Sequence, residues 1–469
     1  MSKNTEPQDA DDDREVGDFD DSLHEREALE VYEQLLLRVS ESSPQPRLSA
    51  TRLAVEMLGD PQRAYPVIHV TGTNGKTSTS RMIESLLRAH DLRTGLLTSP
   101  HLERVNERIV IDGEPISNQA LADNWRDIQP FLELADTQLV AADEAPLSFF
   151  EALTVLAFAA FADAPVDVAV LEVGMGGEWD STNVADGDVA VFTPIALDHT
   201  ARLGNSILEI AHTKAGIIKD AAAVVSAQQT GEARTELEAV AEANNATIAF
   251  EGDGFALASG TVAVGGQVIS VTGLAGSYTD VFLPLFGDHQ ASNAALAIAA
   301  VESFIGGGTQ ALSQDIVAEG LATVTSPGRL QIVGIEPTVL VDAAHNPHGA
   351  AALAASLGQY FTFDSVTAVI GVLADKDAEG IVRALSDVVG EFVVTQSGSD
   401  RAIDADDLAS TVVSIVGADR VIVEPSLEAA LEYARDQAAR TDKGAVLVTG
   451  SITLVADVMS MAADQGWKP

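Results

Sequence analysis

The sequence contains no cysteine. A disulfide framework, a zinc site made of thiolates and a catalytic thiol are therefore all excluded. Long apolar runs are missing as well: the stretch from Ala157 to Ala162 lies between Glu151 and Asp163. It falls short of the roughly 18 residues that a membrane span requires. We therefore expect a cytoplasmic protein with no membrane segment.

Basic residues are scarce in this chain. It carries 27 Lys and Arg against 70 Asp and Glu, which gives a formal net charge of −43. Such a charge repels the phosphate backbone of nucleic acids and anionic membrane surfaces, so we expect neither as a partner. The first residues are dense in acid and lack an apolar core, which predicts a disordered acidic tail over residues 1–28 rather than a targeting peptide.

The stretch VIHVTGTNGKTSTSRMIESLL, residues 67–87, joins an apolar run to a helical pattern through a glycine-rich turn. Such a turn points N–H groups inward at a helix N-terminus, where Lys76 can reach phosphates and Thr77 can offer a hydroxyl to Mg²⁺. The glycines are closer together than in the usual motif, so this is a variant P-loop, with a purely structural turn as the alternative. The candidate nucleotide-binding residues are Thr73, Asn74, Gly75, Lys76 and Thr77.

Two series of apolar runs alternate with helical patterns. VDVAVLEV and DVAVFTPI are near-continuous apolar runs, typical of parallel strands that are covered on both faces. A glycine-rich section after them alternates in short pieces and predicts an antiparallel flap. The second series starts near Pro327. We predict an α/β protein with an N-terminal P-loop parallel-sheet ATPase domain over residues 29–326 and a smaller C-terminal Rossmann-like domain over residues 327–469.

Several further stretches follow the P-loop along the chain. They include LLTSPHLERVNERI, LSFFEALT, LEVGMGGEWDSTN, PIALDHTARLG, KAGIIK, SPGRLQIV, VDAAHNPHGA, GVLADKD and VLVTGS. Together they resemble the folylpolyglutamate synthase and dihydrofolate synthase family, within the Mur-type ATP-dependent amide ligases. That family transfers the γ-phosphoryl group of ATP to a carboxylate, and the amino group of glutamate then attacks the acyl phosphate.

The resemblance implies a ligase that joins L-glutamate to dihydropteroate and extends reduced folates by γ-glutamylation. ATP and Mg²⁺ would be its cofactors, with two metal ions, and its partners would be small molecules: dihydropteroate, folates and L-glutamate. We expect a monomer.

The resemblance also implies a metal site made of Ser99, Glu172 and His199. Glu172 and His199 follow predicted parallel strands, at the edge where doubly wound sheets place their ligands. Taken alone, His199 favours a capping or core role, because Mg²⁺ prefers oxygen ligands.

Lys214 matches the lysine that relatives carry as a carbamate formed with CO₂. That modification requires a neutral amine, whose pKa burial would lower. The alternative is an unmodified lysine that contacts phosphate. With Lys76 and His199, Lys214 completes the expected catalytic set.

The remaining assignments rest mainly on the resemblance. The second domain is expected to contact ATP, with Asn293 contributed by the first. The expected additional nucleotide-binding residues are Asn293, Arg329, Asp342 and His345, and the expected substrate-binding residues are Arg47, Ser148, Phe149, Phe150, Glu151, Trp179, Asp180 and Ser181. Aromatic rings among them suit stacking on a flat pterin, although pattern alone gives Phe149 and Phe150 equally to the core.

Two positions depart from the family pattern. Thr77 gives the Gly-Lys-Thr form of cell-wall Mur ligases, and Glu178 stands where an arginine is frequent. An acid at position 178 would repel a carboxylate substrate if it faced the glutamate tail.

Two other functions compete with folate ligation. A Mur ligase of cell-wall precursors uses the same chemistry, but too few structured residues precede the P-loop for its extra N-terminal domain. A non-enzymatic nucleotide switch could use the ADKD stretch, residues 374–377, to recognise guanine. That function would leave the metal and substrate residues without a purpose.

Overall fold

The computed structural model describes residues 12–41 and 43–467, with side chains from residue 22 onward. The first part of the chain forms an eight-stranded sheet in the order β4-β3-β2-β5-β1-β6-β7-β8. Its strands are β1 (Val67–Thr71), β2 (Thr94–Leu97), β3 (Ile109–Ile111), β4 (Glu114–Pro115), β5 (Val168–Glu172), β6 (Val189–Phe192), β7 (Ala223–Ser226) and β8 (Thr247–Phe250).

The strands from β2 to β8 in this order are parallel, and β3 and β4 add an antiparallel edge. Helices cover both faces, which is why the central strands are continuously apolar. The helices are α1 (Asp12–Leu36), α2 (Ser49–Met57), α3 (Lys76–Ala89), α4 (Asn118–Ala141), α5 (Phe149–Asp163), α6 (Thr200–Leu203), α7 (Ile207–Ala215), α8 (Gly231–Ala243), α9 (Asp288–Gly306) and α10 (Gln314–Ala322). Helices α1, α2, α4 and α5 share one core, and α3, α9 and α10 share another.

Helix α1 begins at Asp12. The prediction of a disordered tail over residues 1–28 is therefore wrong for residues 12–28, while residues 1–11 lie outside the described residues. Ala28, Val31 and Leu35 recur at helical spacing and are buried in the core that α4 shares. This apolar stripe gives the helix a packing surface. The prediction of disorder missed it because it rested on the acidic composition at the start of the chain.

The predicted antiparallel flap is confirmed as a three-stranded sheet of β9 (Ala256–Ala263), β10 (Gly266–Thr272) and β11 (Ser277–Leu283). One turn of the flap is fastened by Glu302, a fully buried carboxylate on α9. It accepts hydrogen bonds from the Leu274, Ala275 and Gly276 N–H groups and from the Tyr278 hydroxyl.

The second part of the chain forms a six-stranded sheet in the order β12-β13-β17-β14-β15-β16. Its elements are β12 (Gln331–Ile335), β13 (Thr338–Asp342), α11 (Pro347–Tyr360), β14 (Ser365–Ile370), α12 (Ala378–Leu385), β15 (Glu391–Val394), α13 (Ala405–Val416), β16 (Val421–Val423), α14 (Leu427–Ala438), β17 (Gly444–Thr449) and α15 (Ile452–Asp464). All strand pairs are parallel except that of β12 with β13. Helices cover both faces, so the predicted α/β fold is confirmed. Within the described residues, no helix has the length and apolarity needed to cross a membrane.

We predict that Glu302→Ala lowers the free energy of unfolding by about 3 kcal/mol or more, because it leaves several buried donors unpaired at roughly 1–3 kcal/mol each. Urea denaturation followed by circular dichroism measures the loss, and hydrogen exchange of residues 273–278 locates it. The control is Glu238→Ala, which removes only an exposed ion pair with Arg234 and should cost less than about 1 kcal/mol. Equal losses in the two variants would contradict the anchoring role of Glu302.

Candidate active site

The P-loop lies between the end of β1 and the start of α3. Gly72 and Gly75 both have positive φ, 147° and 88°. A Cβ at Gly72 would lie 1.9 Å from Thr193 Oγ1, and one at Gly75 would lie 2.8 Å from Asn293 Oδ1. Only glycine fits in either place, so the loop is packed tightly between neighbouring elements and its N–H groups are held in fixed positions.

Two lysines converge on the carbonyl of Gly72. Lys76 Nζ donates to it at 3.2 Å and to Thr73 O at 3.1 Å, while Lys214 Nζ donates to it at 2.6 Å. Burial lowers the pKa of both lysines, and for Lys214 the nearby charge of Lys76 adds to the effect and brings its pKa well below the usual range. A lowered pKa is what carbamate formation at Lys214 requires, because only the neutral amine reacts with CO₂.

Glu172 ends β5, the strand beside β1, and its side chain points at the P-loop. Its Oε1 accepts a hydrogen bond of 2.9 Å from the Thr77 hydroxyl, and its buried Oε2 has no partner among the described residues. Burial raises the pKa of this carboxyl. A buried carboxylate oxygen without a donor is costly, and a divalent cation would satisfy it.

His199 has a left-handed backbone, with φ of 49°, just before α6. Burial lowers its pKa to about 4, so the imidazole is neutral at physiological pH and has a lone pair to offer a cation. His199 and Ser99 line the same cavity as Glu172. No group of three acidic, histidine or cysteine side chains suited to a metal occurs among the described residues. The unpartnered Oε2 of Glu172 is an oxygen ligand that suits Mg²⁺, which takes few carboxylates and completes its shell with water and phosphate oxygens.

The cavity above the P-loop has a volume of about 650 Å³. All nine sequence-predicted nucleotide residues line it, although they come from both parts of the chain: Thr73, Asn74, Gly75, Lys76, Thr77, Asn293, Arg329, Asp342 and His345. Asp342 ends β13, and its carboxylate accepts hydrogen bonds from the N–H groups of Leu330 and Ala344 at 2.7 and 2.8 Å. These bonds fix the loop that faces the P-loop. The structure thus brings together the predicted phosphate, metal and lysine residues.

A second cavity of about 230 Å³ adjoins the first. Six of the eight predicted substrate residues line it: Ser148, Phe150, Glu151, Trp179, Asp180 and Ser181. The two cavities share Ser99, His199 and His345 in their walls. A group in the second cavity can therefore meet a phosphate in the first at this junction.

Arg47 does not line the second cavity. Its guanidinium donates to both carboxylate oxygens of Glu151 at 3.0 and 3.1 Å and to the Ala145 carbonyl at 2.8 Å. Glu151 also caps α5 by accepting the Ser148 N–H at 2.7 Å. In this structure Arg47 holds the start of α5 and pairs with the carboxylate of Glu151, and its contact with substrate stays a prediction.

Phe149 does not line the second cavity either. Its ring is 5% exposed, packs edge-on against Tyr32 and lies 5.2 Å from the Arg108 guanidinium. Neighbouring side chains on a helix point about 100° apart, so Phe149 enters the core while Phe150 faces the cavity.

Glu178 is exposed and lines neither cavity. Its backbone N–H donates a hydrogen bond of 2.7 Å to Thr213 O. In this structure the acid at position 178 therefore faces neither cavity. Two cations that sequence reasoning passed over, Lys376 and Arg401, line the second cavity instead.

Asp198 is the other important residue that sequence reasoning missed. Burial would raise its pKa, but the hydrogen bond from His345 and the positive charge of Lys376 hold that pKa well below the usual range. Its partners lie more than a hundred residues away in sequence, so no local pattern identifies them. The only sequence signal was its place directly before His199, after a predicted strand.

Comparison with known proteins agrees with this geometry. Residues 70–301 match the Mur ligase middle domain, and residues 328–452 match the Mur ligase glutamate ligase domain. The chain is 46% identical over 446 residues to the dihydrofolate synthase/folylpolyglutamate synthase of Mycobacterium tuberculosis, covering 90% of this chain and 91% of that one. The corresponding Escherichia coli enzyme is 32% identical, with 88% and 90% covered.

Solved structures show the same relationship. The M. tuberculosis folylpolyglutamate synthase complexed with ADP and AMPPCP superposes with a TM-score of 0.89 at 44% identity, over 95% of this chain and all of that one. E. coli FolC in complex with DHPP and ADP gives a TM-score of 0.81 at 30% identity, over 94% and 98%. The chain belongs to the folylpolyglutamate synthase and dihydrofolate synthase family of Mur-type ligases.

Proposed function

We propose that this protein uses ATP to join L-glutamate to dihydropteroate, and that it extends reduced folates by linking glutamate to their γ-carboxyl group. The observation that carries this proposal is the junction of the two cavities at Ser99, His199 and His345. One cavity has the P-loop, and the other has Phe150 and Trp179, whose rings suit a flat pterin.

In this proposal the P-loop N–H groups and Lys76 bind the phosphates of ATP, and the fixed loop geometry aligns the γ-phosphoryl group with the substrate carboxylate. Ser99, Thr77, Glu172 and His199 would hold Mg²⁺, which when bound neutralises phosphate charge. The carboxylate attacks the γ-phosphorus and ADP leaves, giving an acyl phosphate. The neutral amine of glutamate then attacks the carbonyl carbon, and phosphate leaves.

The incoming amino acid carries two carboxylates, and the second cavity needs positive charge to receive them. Lys376 and Arg401 supply it from the C-terminal wall. Lys376 is nearly buried, and Arg401 is half exposed and 3.4 Å from the half-exposed Asp375. Arg401 is therefore weakly held and free to exchange Asp375 for a substrate carboxylate.

We further propose that the protein acts as a cytoplasmic monomer, divided into domains near residue 327, without nucleic-acid or membrane partners. The net charge of −43 supports small-molecule partners, since it opposes extended polyanions.

The direct experiment supplies ATP, Mg²⁺ and L-glutamate with either dihydropteroate or a reduced folate and identifies the products by mass spectrometry. We expect dihydrofolate from the first substrate and a folate longer by one glutamate from the second. A product formed only from a UDP-linked cell-wall precursor would contradict the proposal and favour the other type of Mur ligase. Binding of GTP in preference to ATP, without any ligation, would favour the nucleotide switch.

We predict that Glu172→Gln raises the Mg²⁺ concentration needed for half-maximal activity by at least about tenfold, because the amide keeps the shape but loses the charge that attracts the ion. Excess Mg²⁺ should restore part of the activity. A Mg²⁺ titration of the ligase reaction measures the change, with the exposed Glu238→Gln as the control. If both variants titrate like the parent, Glu172 is not a metal ligand.

We predict that Lys214 forms a carbamate with CO₂, since its pKa is low and its amine is buried beside the P-loop. Removal of CO₂ from the buffer should reduce activity severalfold, and bicarbonate should restore it. The nuclear magnetic resonance spectrum with isotope-labelled bicarbonate should show a carbamate signal, which Lys214→Arg should lack. The same spectrum for parent and variant would identify Lys214 as an unmodified phosphate-binding lysine.

The neighbours Phe149 and Phe150 provide a matched test of the substrate cavity. Phe150→Ala should raise the KM for dihydropteroate at least about tenfold, since the ring faces the cavity. Phe149→Ala should instead lower the free energy of unfolding by about 3–5 kcal/mol and leave that KM nearly unchanged. Steady-state kinetics and urea denaturation of both variants distinguish the two roles. The reverse pattern would exchange the two assignments.

A further inference from the structure

Asp198 lies in the loop between β6 and α6, on the side of the first domain that faces the second. Its carboxylate is 9% exposed, and its contacts run mostly across the domain boundary. Oδ1 accepts a hydrogen bond of 2.7 Å from Lys376 Nζ, and Oδ2 accepts one of 3.1 Å from Asn346 Nδ2. Oδ2 also lies 3.5 Å from His345 Nε2. One carboxylate thus contacts three side chains of the opposite domain.

Each of these partners has a place in the site. Lys376 lines the second cavity, which is the proposed substrate cavity, and His345 lines both cavities. Asn346 caps α11 and exchanges hydrogen bonds of 3.2 and 3.0 Å with Asn74 of the P-loop. The group centred on Asp198 therefore connects the P-loop, the substrate cavity and the C-terminal domain.

The charge of Asp198 matters for Lys376 in particular. The Lys376 side chain is only 7% exposed, and its other acidic neighbour, Asp375, is 3.9 Å away and half exposed. Without Asp198, a nearly buried ammonium would have no close counter-charge, which is strongly unfavourable. Lys376 would then move toward solvent, and the wall of the substrate cavity would change with it.

We infer that Asp198 is a positioning residue: it seats the C-terminal domain on the P-loop domain and holds Lys376 and His345 at the junction of the two cavities. In this role Asp198, which lines the first cavity, acts on the second cavity through Lys376. Its kinetic consequence rests on the proposed function, because the cation it orients is one that would receive the incoming amino acid.

A second interdomain carboxylate provides a matched control. Asp288, at the start of α9, accepts hydrogen bonds from Gln359 Nε2 at 3.0 Å and from the Tyr360 hydroxyl at 2.8 Å. It crosses the same domain boundary, but it is exposed and lines neither cavity. Asp288→Asn therefore makes the same chemical change at the boundary without disturbing the junction.

The kinetic test compares Asp198→Asn with Asp288→Asn. We expect Asp198→Asn to raise the KM for L-glutamate at least about tenfold while the KM for ATP changes less than about threefold; Asp288→Asn should leave both within about threefold of the parent. An unchanged KM for L-glutamate in Asp198→Asn would overturn the inference. A defect confined to Mg²⁺ dependence would also overturn it, because it would show that Asp198 positions His199 rather than Lys376.

A double variant tests whether Asp198 acts through Lys376. If the two side chains work as one unit, the kcat/KM for L-glutamate of the double variant Asp198→Asn with Lys376→Gln should be at most about threefold lower than that of the less active single variant. Effects on kcat/KM for L-glutamate that multiply would show independent roles and contradict the inference.

The absence of cysteine allows a test that needs no substrate. Thr235→Cys on α8 and Ser410→Cys on α13 place two thiols at exposed positions, one in each domain, for spin labelling. The parent and Asp288→Asn should give the same distance distribution, and Asp198→Asn a broader or longer one. Identical distributions in all three would overturn the seating role. If the parent fails to ligate glutamate, the proposed function fails, yet this measurement still decides the role of Asp198.

Discussion

The tight packing of the glycine-rich loop is the constraint on which the rest of the site depends. The backbone of Gly72 fits against Thr193, and that of Gly75 fits against Asn293, with no room for a Cβ at either position. The Gly72 carbonyl in turn receives Lys214. Because these contacts come from the residue after β6, from α7 and from α9, the loop is fixed by its neighbours rather than by its own sequence alone, and its N–H groups are preorganised for phosphate.

The distribution of charge explains how so acidic a protein can handle anionic substrates. Its net charge of −43 is opposed locally by a few cations that face the two cavities, Lys76, Arg329, Lys376 and Arg401. Inside partly buried cavities a charge interacts more strongly than at the surface, so a small number of cations can outweigh the distant acids. The acids that do enter the site have defined partners, as Asp198 has Lys376, or are placed to receive a metal ion, as Glu172 is.

Sequence reasoning located the P-loop and the strand ends well, because glycines and continuous apolar runs reflect local backbone constraints. It failed where long-range packing decides. Arg47 and Phe149, which the resemblance implies as substrate residues, are engaged in a salt bridge and a core contact that no local pattern shows, and they do not line the second cavity. Residues 12–28 looked disordered by composition, yet they belong to a helix that packs through a narrow apolar stripe. Asp198 has no local signal, since its partners lie in the other domain.

The central claim is that the substrate carboxylate takes the γ-phosphoryl group of ATP where the two cavities meet. The most direct measurement uses dihydropteroate whose carboxylate carries isotopically heavy oxygen, with ATP, Mg²⁺ and L-glutamate, and analyses the inorganic phosphate by mass spectrometry. If an acyl phosphate forms, one oxygen of the former carboxylate bridges carbon and phosphorus. Attack of the amine then breaks the bond between carbon and that oxygen, so one heavy oxygen should appear in each phosphate released during ligation. Phosphate without heavy oxygen, formed together with a glutamylated product, would contradict the account.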